Sequence, residues 1–312
     1  MSWDPTRLPV LHGRTFVITG ATAGIGYFAA EQLAAAGAQV VLAARSAPKA
    51  ARVLATLRDH VPGAEASFVE LDLASLASVR RAADELTGLP RLDGVFVNGG
   101  SMAMRPGEVT DDGHPMILGT HTLAGFRLVG GVLPALAASG HEHGTVPRVV
   151  HASTGFVSRA RRTPIDDVAA VPSTGLGAYV KAKAITEVFA SELDRRLRAA
   201  GLPVASIVSR PGIGVDARTP ERAGVSGPAA GYRRNPFTPW AQGKDAAAWA
   251  GVRALVDPRA VGGEYYAPGN GRRGLPVRID PPAHTAAPEG GVAARVWTQL
   301  ETLTGTPLRV GR

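Results

Sequence analysis

The run Thr15-Phe16-Val17-Ile18 enters Thr19-Gly20-Ala21-Thr22-Ala23-Gly24-Ile25-Gly26, and the alanine-rich stretch Tyr27 to Ala36 follows. That order predicts a buried strand, a glycine turn and a helix. Glycines let the chain turn tightly, and they let a pyrophosphate approach the backbone without meeting a Cβ. The free N–H groups and positive dipole end of a following helix favour phosphate. Gly20, Thr22, Ala23, Gly24, Ile25 and Gly26 are therefore the candidate cradle for a dinucleotide. The spacing Gly-x-x-x-Gly-x-Gly is one residue longer than the common dinucleotide fingerprint. A plain tight turn is the competing reading.

Apolar strand-like runs recur at 14–19, 39–44, 66–71, 93–98, 147–152 and 203–209. Helical periodicity separates them near 24–36, 47–60, 75–87, 112–139 and 175–200. Continuous apolar strands alternating with helices predict an α/β fold, a doubly wound parallel sheet flanked by helices on both faces. Ligands of such sheets bind at the carboxyl ends of the strands. After residue 209 the pattern changes. Residues 210–242 are rich in Gly and Pro and read as a long irregular insert, either a substrate lid or a surface loop. A helix is expected at 243–256, an edge strand at 264–267, a Pro- and Gly-rich segment at 271–290 and a last helix at 291–304. No linker divides the chain, so 1–312 reads as a single domain.

The chain has no cysteine, which excludes disulfides, cysteine metal sites and a cysteine nucleophile. The net charge is +8, and only four of the 34 cationic residues are lysine. The arginines are dispersed, in short pairs such as Arg161-Arg162, Arg233-Arg234 and Arg272-Arg273. A nucleic-acid footprint would be a dense basic stripe, so no nucleic-acid partner is expected. No apolar run reads as a membrane span, and the N-terminus lacks a signal pattern. The expectation is a cytoplasmic protein. His141-Glu142-His143 reads as part of a surface loop before the fifth strand. Three ligands so close in sequence do not easily close a tetrahedral site, so no metal is expected.

The strand ends carry the chemistry. The second strand ends in Ala44-Arg45-Ser46, without the acid that would hydrogen-bond the ribose of NAD. Arg45 and Ser46 offer a cation and a hydroxyl that suit a 2′-phosphate, which points to NADP(H). A solvent-facing arginine is the alternative. Asp72, before Leu73, has two readings: an acceptor for an adenine amino group, or the N-cap of the next helix. Asn98, before Gly99 and Gly100, can hold either a ribose or a neighbouring strand. Tyr179 and Lys183 lie at i and i+4 of a predicted helix and share one face. A free phenol has a pKa near ~10, and a neighbouring cation would lower it. Tyr179 could then exchange a proton with a carbonyl or alcohol oxygen.

Together these motifs make the chain resemble the short-chain dehydrogenase/reductase family. Thr19 to Gly26 is similar to its cofactor turn, and Val97-Asn98-Gly99-Gly100 stands where the family usually has Asn-Asn-Ala-Gly. Arg148 to Thr154 resembles the strand carrying the catalytic hydroxyl, and Tyr179 and Lys183 match the catalytic pair. Arg210-Pro211-Gly212, followed by Ile213, resembles the Pro-Gly turn beside the nicotinamide. The likeness covers most of residues 10–305. Leu42-Ala43-Ala44-Arg45, Ile165-Asp166-Asp167 and Leu303-Thr304-Gly305 are similar to the retinol-dehydrogenase-like branch.

The resemblance implies a Rossmann-type single-domain fold that transfers hydride between NADP(H) and a ketone, aldehyde or alcohol. Tyr179 would be the acid/base. Thr154, aided by Ser153 beside it, would orient the carbonyl, with alternation along the strand turning Ser153 to the other face. Lys183 would lower the Tyr179 pKa and hold the nicotinamide ribose. His121 stands where the family has an Asn whose backbone holds a water. It either joins the proton relay, with a pKa near ~6.5, or only packs. Val97 removes a polar support, and Asp216 stands where many relatives have a Thr near the nicotinamide amide. The substrate pocket is expected from residues 101–106, 155–162 and 212–242, in which Arg159, Arg161 and Arg162 read first as solvated loop cations. A homo-oligomer is compatible with the family. Two other functions fit the same scaffold: NADP(H) binding without turnover, and imine or enone reduction.

Overall fold

Alternation along the strands divides the core in two. Phe16, Ile18, Val40, Leu42, Phe96 and Val150 face one side of the sheet, and Val17, Val41, Val95, Val97 and Val149 face the other. Both sides are covered, so the strands read as unbroken apolar runs rather than as polar–apolar alternation. A computed structural model describes residues 3–101, 107–159, 164–225 and 238–311. Its strands are β1 (Thr15–Thr19), β2 (Gln39–Ala44), β3 (Ala66–Glu70), β4 (Gly94–Val97), β5 (Arg148–Ala152), β6 (Ala205–Ser209), β7 (Tyr265–Pro268) and β8 (Pro276–Ile279). They form one sheet in the order β3-β2-β1-β4-β5-β6-β7-β8. Every pairing is parallel except β7 with β8. The order reverses between β1 and β4, the switch point where ligands of such sheets bind.

Helices α1 (Gly24–Ala35), α2 (Ala47–His60) and α7 (Lys244–Val256) cover one face. Helices α3 (Leu76–Thr87), α5 (Ala124–His143), α6 (Gly175–Ala199) and α9 (Val292–Thr304) cover the other. A single turn α4 (Met116–Leu118) and a π-helical segment (Gly119–Leu123) lead into α5, and a short α8 (Ala283–Ala286) precedes α9. Ser46, Ser75 and Thr174 cap α2, α3 and α6 through their hydroxyls. Each fully buried Leu, Val or Phe of these faces contributes about 1.5–3 kcal/mol relative to exposure. The elements expected from periodicity are present, mostly with ends shifted by one or two residues.

Four sequence expectations need correction. β7 is not the edge strand; β8 pairs with it antiparallel, inside the segment expected to be irregular. Pro276-Val277-Arg278-Ile279 carries too little apolar pattern to read as a strand, and pairing with β7 supplies what the pattern lacks. The long helical run spans Met116–His143 rather than 112–139. It therefore places His141 and His143 on the last turn of α5, not in a loop, and Gly144 at φ +60° ends that helix. The same run is long and apolar enough to cross a bilayer, although no span was read in the sequence. Its apolar side chains, among them Phe126, Leu128, Val129 and Leu133, belong to the core against the sheet and neighbouring helices.

The segment 210–242 is pinned at its base. Val215 N donates to Gln242 O (2.9 Å) and Gln242 N to Ile213 O (2.9 Å). Further on, Arg222 pairs with Glu31 of α1, and Thr56 of α2 donates to Ala223 O (2.7 Å). Residues 226–237 of the expected insert lie outside the described residues.

Candidate active site

The glycine turn is built by close packing. Gly20 and Gly24 have φ of +66° and +53°. A Cβ on Gly20 would lie 2.8 Å from Gly99 Cα, and one on Gly26 would lie 2.6 Å from Gly20 O. Thr19 ties this turn to the end of β4: its Oγ1 accepts from Asn98 N (3.0 Å) and Gly99 N (2.8 Å). Asn98 Nδ2 donates to Thr19 O (3.2 Å), so Asn98 holds the neighbouring strand. No side chain caps the N-terminus of α1, and no acid lies in its first turn. Its backbone N–H groups are therefore open to an anion. A cavity of about 470 Å³ runs beside the turn, lined by Gly20, Thr22, Arg45, Asp72, Leu73 and Gly100 among others. The uncapped helix end and the glycines that cannot take a Cβ fit a dinucleotide pyrophosphate.

Arg45 sits at the mouth of this groove, 76% exposed and 4.0 Å from Asp72. Ser46 accepts from Lys49 N (3.3 Å) as the cap of α2. Asp72 is not the cap of α3, a role taken by Ser75; its Oδ1 instead accepts from Ala74 N (2.9 Å) within its own turn.

Tyr179, on the second turn of α6, meets the end of β5. The Thr154 side chain interacts with the phenol and eases its ionisation, but burial dominates and holds the Tyr179 pKa above that of a free phenol. The expected lowering by Lys183 is not found. Lys183 is completely buried and donates from Nζ to Ala152 O (2.7 Å), and burial pulls its pKa down to about 8 against the upward push of Glu187. Ser153, also expected at the catalytic oxygen, is turned away. Its hydroxyl donates to Glu187 Oε1, because successive residues at the strand end point to opposite sides. His121 lies in the π-helical segment, its ring edge-on to Tyr179 at 5.2 Å and packed against Gly100. Its Nε2 pairs with Ser101 O (2.9 Å), and Nδ1 is buried without a partner. Burial, with the Lys183 charge, drives its pKa to about 3. The ring is therefore held neutral near pH 7. The His121 carbonyl accepts from Thr186 Oγ1 (3.2 Å).

A second cavity, of about 510 Å³, opens beside Thr154. Phe156, Arg210, Ile213, Trp240 and Arg272 line it. Gly212, at φ +73°, leaves no room for a Cβ beside the Arg272 carbonyl, which accepts from Ile213 N (2.8 Å). Pro211 O accepts from Gln242 Nε2 (2.9 Å). The hairpin residues Asn270, Gly271 and Arg272 are part of this wall, unlike the lining expected from the sequence. Residues 102–106, 160–162 and 226–237 of that expected lining, with Arg161 and Arg162, lie outside the described residues. Thr154 thus lines the second cavity, and His121, edge-on to Tyr179, packs on Gly100 of the first.

The short chain dehydrogenase family profile matches residues 14–158. Polyprenol dehydrogenase of Mus musculus is 36% identical over 221 residues, which cover 70% of this chain and 65% of that protein. The chain belongs to the short-chain dehydrogenase/reductase family. The chain spans less than two thirds of that mouse relative's length. A crystal structure of an uncharacterised protein from Mycobacterium paratuberculosis matches 99% of this chain and 100% of its own, at 29% identity and TM-score 0.78. A short chain dehydrogenase from Escherichia coli CFT073, solved with NADPH, covers 66% of this chain and 79% of its own at 25% identity and TM-score 0.52.

Within this oxidoreductase family, three residues of the site escaped sequence reasoning. Glu187 continues the Tyr179–Lys183 line by one more helical turn, and that i, i+4, i+8 spacing is a signal that was available. It accepts from Ser153, Tyr265 OH (2.8 Å) and Thr285 Oγ1 (2.7 Å). Burial raises its pKa, opposed by those three hydroxyls and by the charge of Arg210. Lys244, at the start of α7, lies over Gly24: a Cβ there would be 3.3 Å from Lys244 Cδ. Its Nζ is 2.5 Å from Asp216, so Asp216 is occupied by an ion pair. Arg210 precedes the Pro-Gly turn and lines the second cavity. Nothing local to the sequence announces Lys244, and the Pro-Gly motif marks the position of Arg210 but not its place in this pocket. Among the described residues, no cluster of His, Asp and Glu could hold a metal, and His141 and Glu142 are exposed.

Proposed function

We propose that the chain is an NADP(H)-dependent oxidoreductase that interconverts a ketone or aldehyde with its alcohol, with Tyr179 as acid/base. The observation that carries this reading is the meeting of Tyr179 with Thr154 at the wall of the second cavity, with Lys183 buried one helical turn further along α6. When bound, the nicotinamide supplies or accepts a hydride. The protein positions and protonates. Thr154 donates to the carbonyl oxygen and polarises it. Tyr179, whose raised pKa keeps it protonated at neutral pH, delivers its proton to that oxygen. Lys183, charged below about pH 8 and held on Ala152 O, is the candidate to hold the nicotinamide ribose. The free N–H groups of α1 hold the pyrophosphate, and Lys244 adds positive charge above Gly24.

The choice of NADP(H) over NAD(H) rests on Arg45 and Ser46 at the end of β2, where Ala44 replaces a ribose-binding acid. The Arg45–Asp72 pair is exposed and 4.0 Å long, so it holds Arg45 only weakly and leaves it able to turn to a 2′-phosphate. The NADPH complex of the E. coli relative supports the same choice. A panel of carbonyl compounds with NADPH, followed by loss of its absorbance, tests the proposal. Tyr179→Phe removes one hydroxyl and little volume. It should retain NADPH affinity and lose at least about a hundredfold in kcat. Near-parent turnover by that variant would remove Tyr179 from its role.

A further inference from the structure

The second cavity holds a guanidinium whose donors the fold does not use. Arg210 Nε is buried and has no hydrogen-bond partner. Among the described residues, no hydrogen bond leaves the Arg210 side chain. The group is held between two glycines. A Cβ on Gly155 would be 3.8 Å from both Nε and Nη1, and a Cβ on Gly271 would be 3.3 Å from Nη2. Gly155 follows Thr154 directly, so the planar fork lies one residue from the hydroxyl at the reaction centre. The nearby acid, Glu187, balances the Arg210 charge without accepting from it, because its oxygens are taken by Ser153, Tyr265 and Thr285. A buried donor left without an acceptor is an expensive arrangement in a native fold. The two Nη groups make no hydrogen bond among the described residues either and are not among the buried atoms, so in the cavity that Arg210 lines they can take an acceptor from a ligand. Arg272 adds a second cation at the rim, and the rest of the wall includes Phe156, Ile213 and Trp240.

Resting on the oxidoreductase reading above, we propose that the substrate is an oxo acid with an apolar body, its carboxylate held by Arg210. A guanidinium matches a carboxylate with two parallel N–H···O bonds, which fixes orientation as well as charge. The apolar body packs on Phe156 and Trp240, and the carbonyl reaches Thr154 and Tyr179. In the reduction the carbonyl carbon gains the hydride supplied by NADPH and its oxygen gains the Tyr179 proton. The ketone becomes a secondary alcohol, NADPH is oxidised by two electrons to NADP⁺, and the carboxylate is unchanged. The net charge of +8 favours the approach of such an anion.

The test compares benzoylformate and 3-benzoylpropionate with their methyl esters, using the parent protein and NADPH. At least one acid should exceed its ester by about tenfold or more in kcat/KM. Arg210→Gln should abolish that preference, mainly through KM. Binding of benzoate, followed by calorimetry on the NADP⁺ complex, gives a readout without turnover. It should be seen in the parent and be lost in Arg210→Gln. Esters reduced as well as acids, or benzoate binding unchanged by the substitution, would overturn the inference and leave the oxidoreductase reading intact. Arg210-dependent benzoate binding with no carbonyl turned over would do the reverse. If Arg210→Gln does not fold, the acid–ester comparison on the parent still decides.

Discussion

Replacing Glu187 in two ways separates what its charge does from what its hydrogen bonds do. Glu187 receives hydroxyl donors from β7, from α8 and from Ser153 at the end of β5, so it ties α6 to three other parts of the fold. Glu187→Leu removes all three acceptances. Thr285 can still donate to Pro282 O, which already lies 3.1 Å away. Ser153 and Tyr265, 3% and 2% exposed, are left with buried orphan hydroxyls. At about 1–3 kcal/mol for each orphan, the loss is roughly 2–6 kcal/mol. Glu187→Gln differs. Its amide oxygen can still accept from Ser153 and Tyr265, and its NH₂ can donate to Thr285. The buried carboxylate also has a raised pKa, so the native state binds its proton more tightly than the unfolded chain does. That term favours folding at low pH and is lost as pH rises through the native pKa. At pH 7 the amide removes this penalty, and Glu187→Gln should stay within about 1 kcal/mol of the parent. Urea unfolding at pH 7, followed by circular dichroism, measures both variants. A Leu variant as stable as the parent, or a Gln variant as damaged as Leu, would refute the reasoning. Loss of the Glu187 charge should also push the Lys183 pKa below about 8, moving the alkaline limb of the rate profile of Glu187→Gln to lower pH.

Other consequences follow from the same geometry. Arg45→Ala should weaken NADPH binding by about tenfold or more and leave NADH binding nearly unchanged, as calorimetry would show; equal losses would end the 2′-phosphate assignment. Thr154→Val should lower kcat/KM by about a hundredfold while Thr154→Ser retains activity. The reverse pattern, with Ser153→Ala inactive and Thr154→Val active at unchanged stability, would move the catalytic hydroxyl by one position. The parent rate should fall as pH rises through about 8, where Lys183 loses its proton. The Lys183 contribution to stability has the opposite sign: between about 8 and 10.5 the unfolded chain binds the proton that the native state lacks, so this group favours folding as pH rises. A rate that is flat from pH 7 to 10 would contradict a titrating Lys183.

The strand positions, the glycine turn and the Tyr179–Lys183 pair were legible because each is written in local pattern. Periodicity of 2 or 3.6 residues reports burial on one or both faces, and Gly20 and Gly26 report places where a Cβ has no room. A helix guarantees that i and i+4 share a face, whatever surrounds it. Local pattern does not report solvent. His121 and Lys183 carry ordinary pKa values as residue types, and burial, joined at His121 by the Lys183 charge, moves them to about 3 and about 8. Nor does it report partners far along the chain. Lys244 meets Gly24 across more than two hundred residues because α7 packs against α1, and Arg210 meets Gly155 and Gly271 because β6 lies between β5 and β7. β8 is a strand only because β7 offers it an edge. The sequence by itself thus determined the fold class and the placement of Tyr179 and Lys183 on one helix face. The tertiary structure decided which hydroxyl faces Tyr179, which charges are buried and what lines the pocket, because those depend on desolvation and on contacts between distant segments.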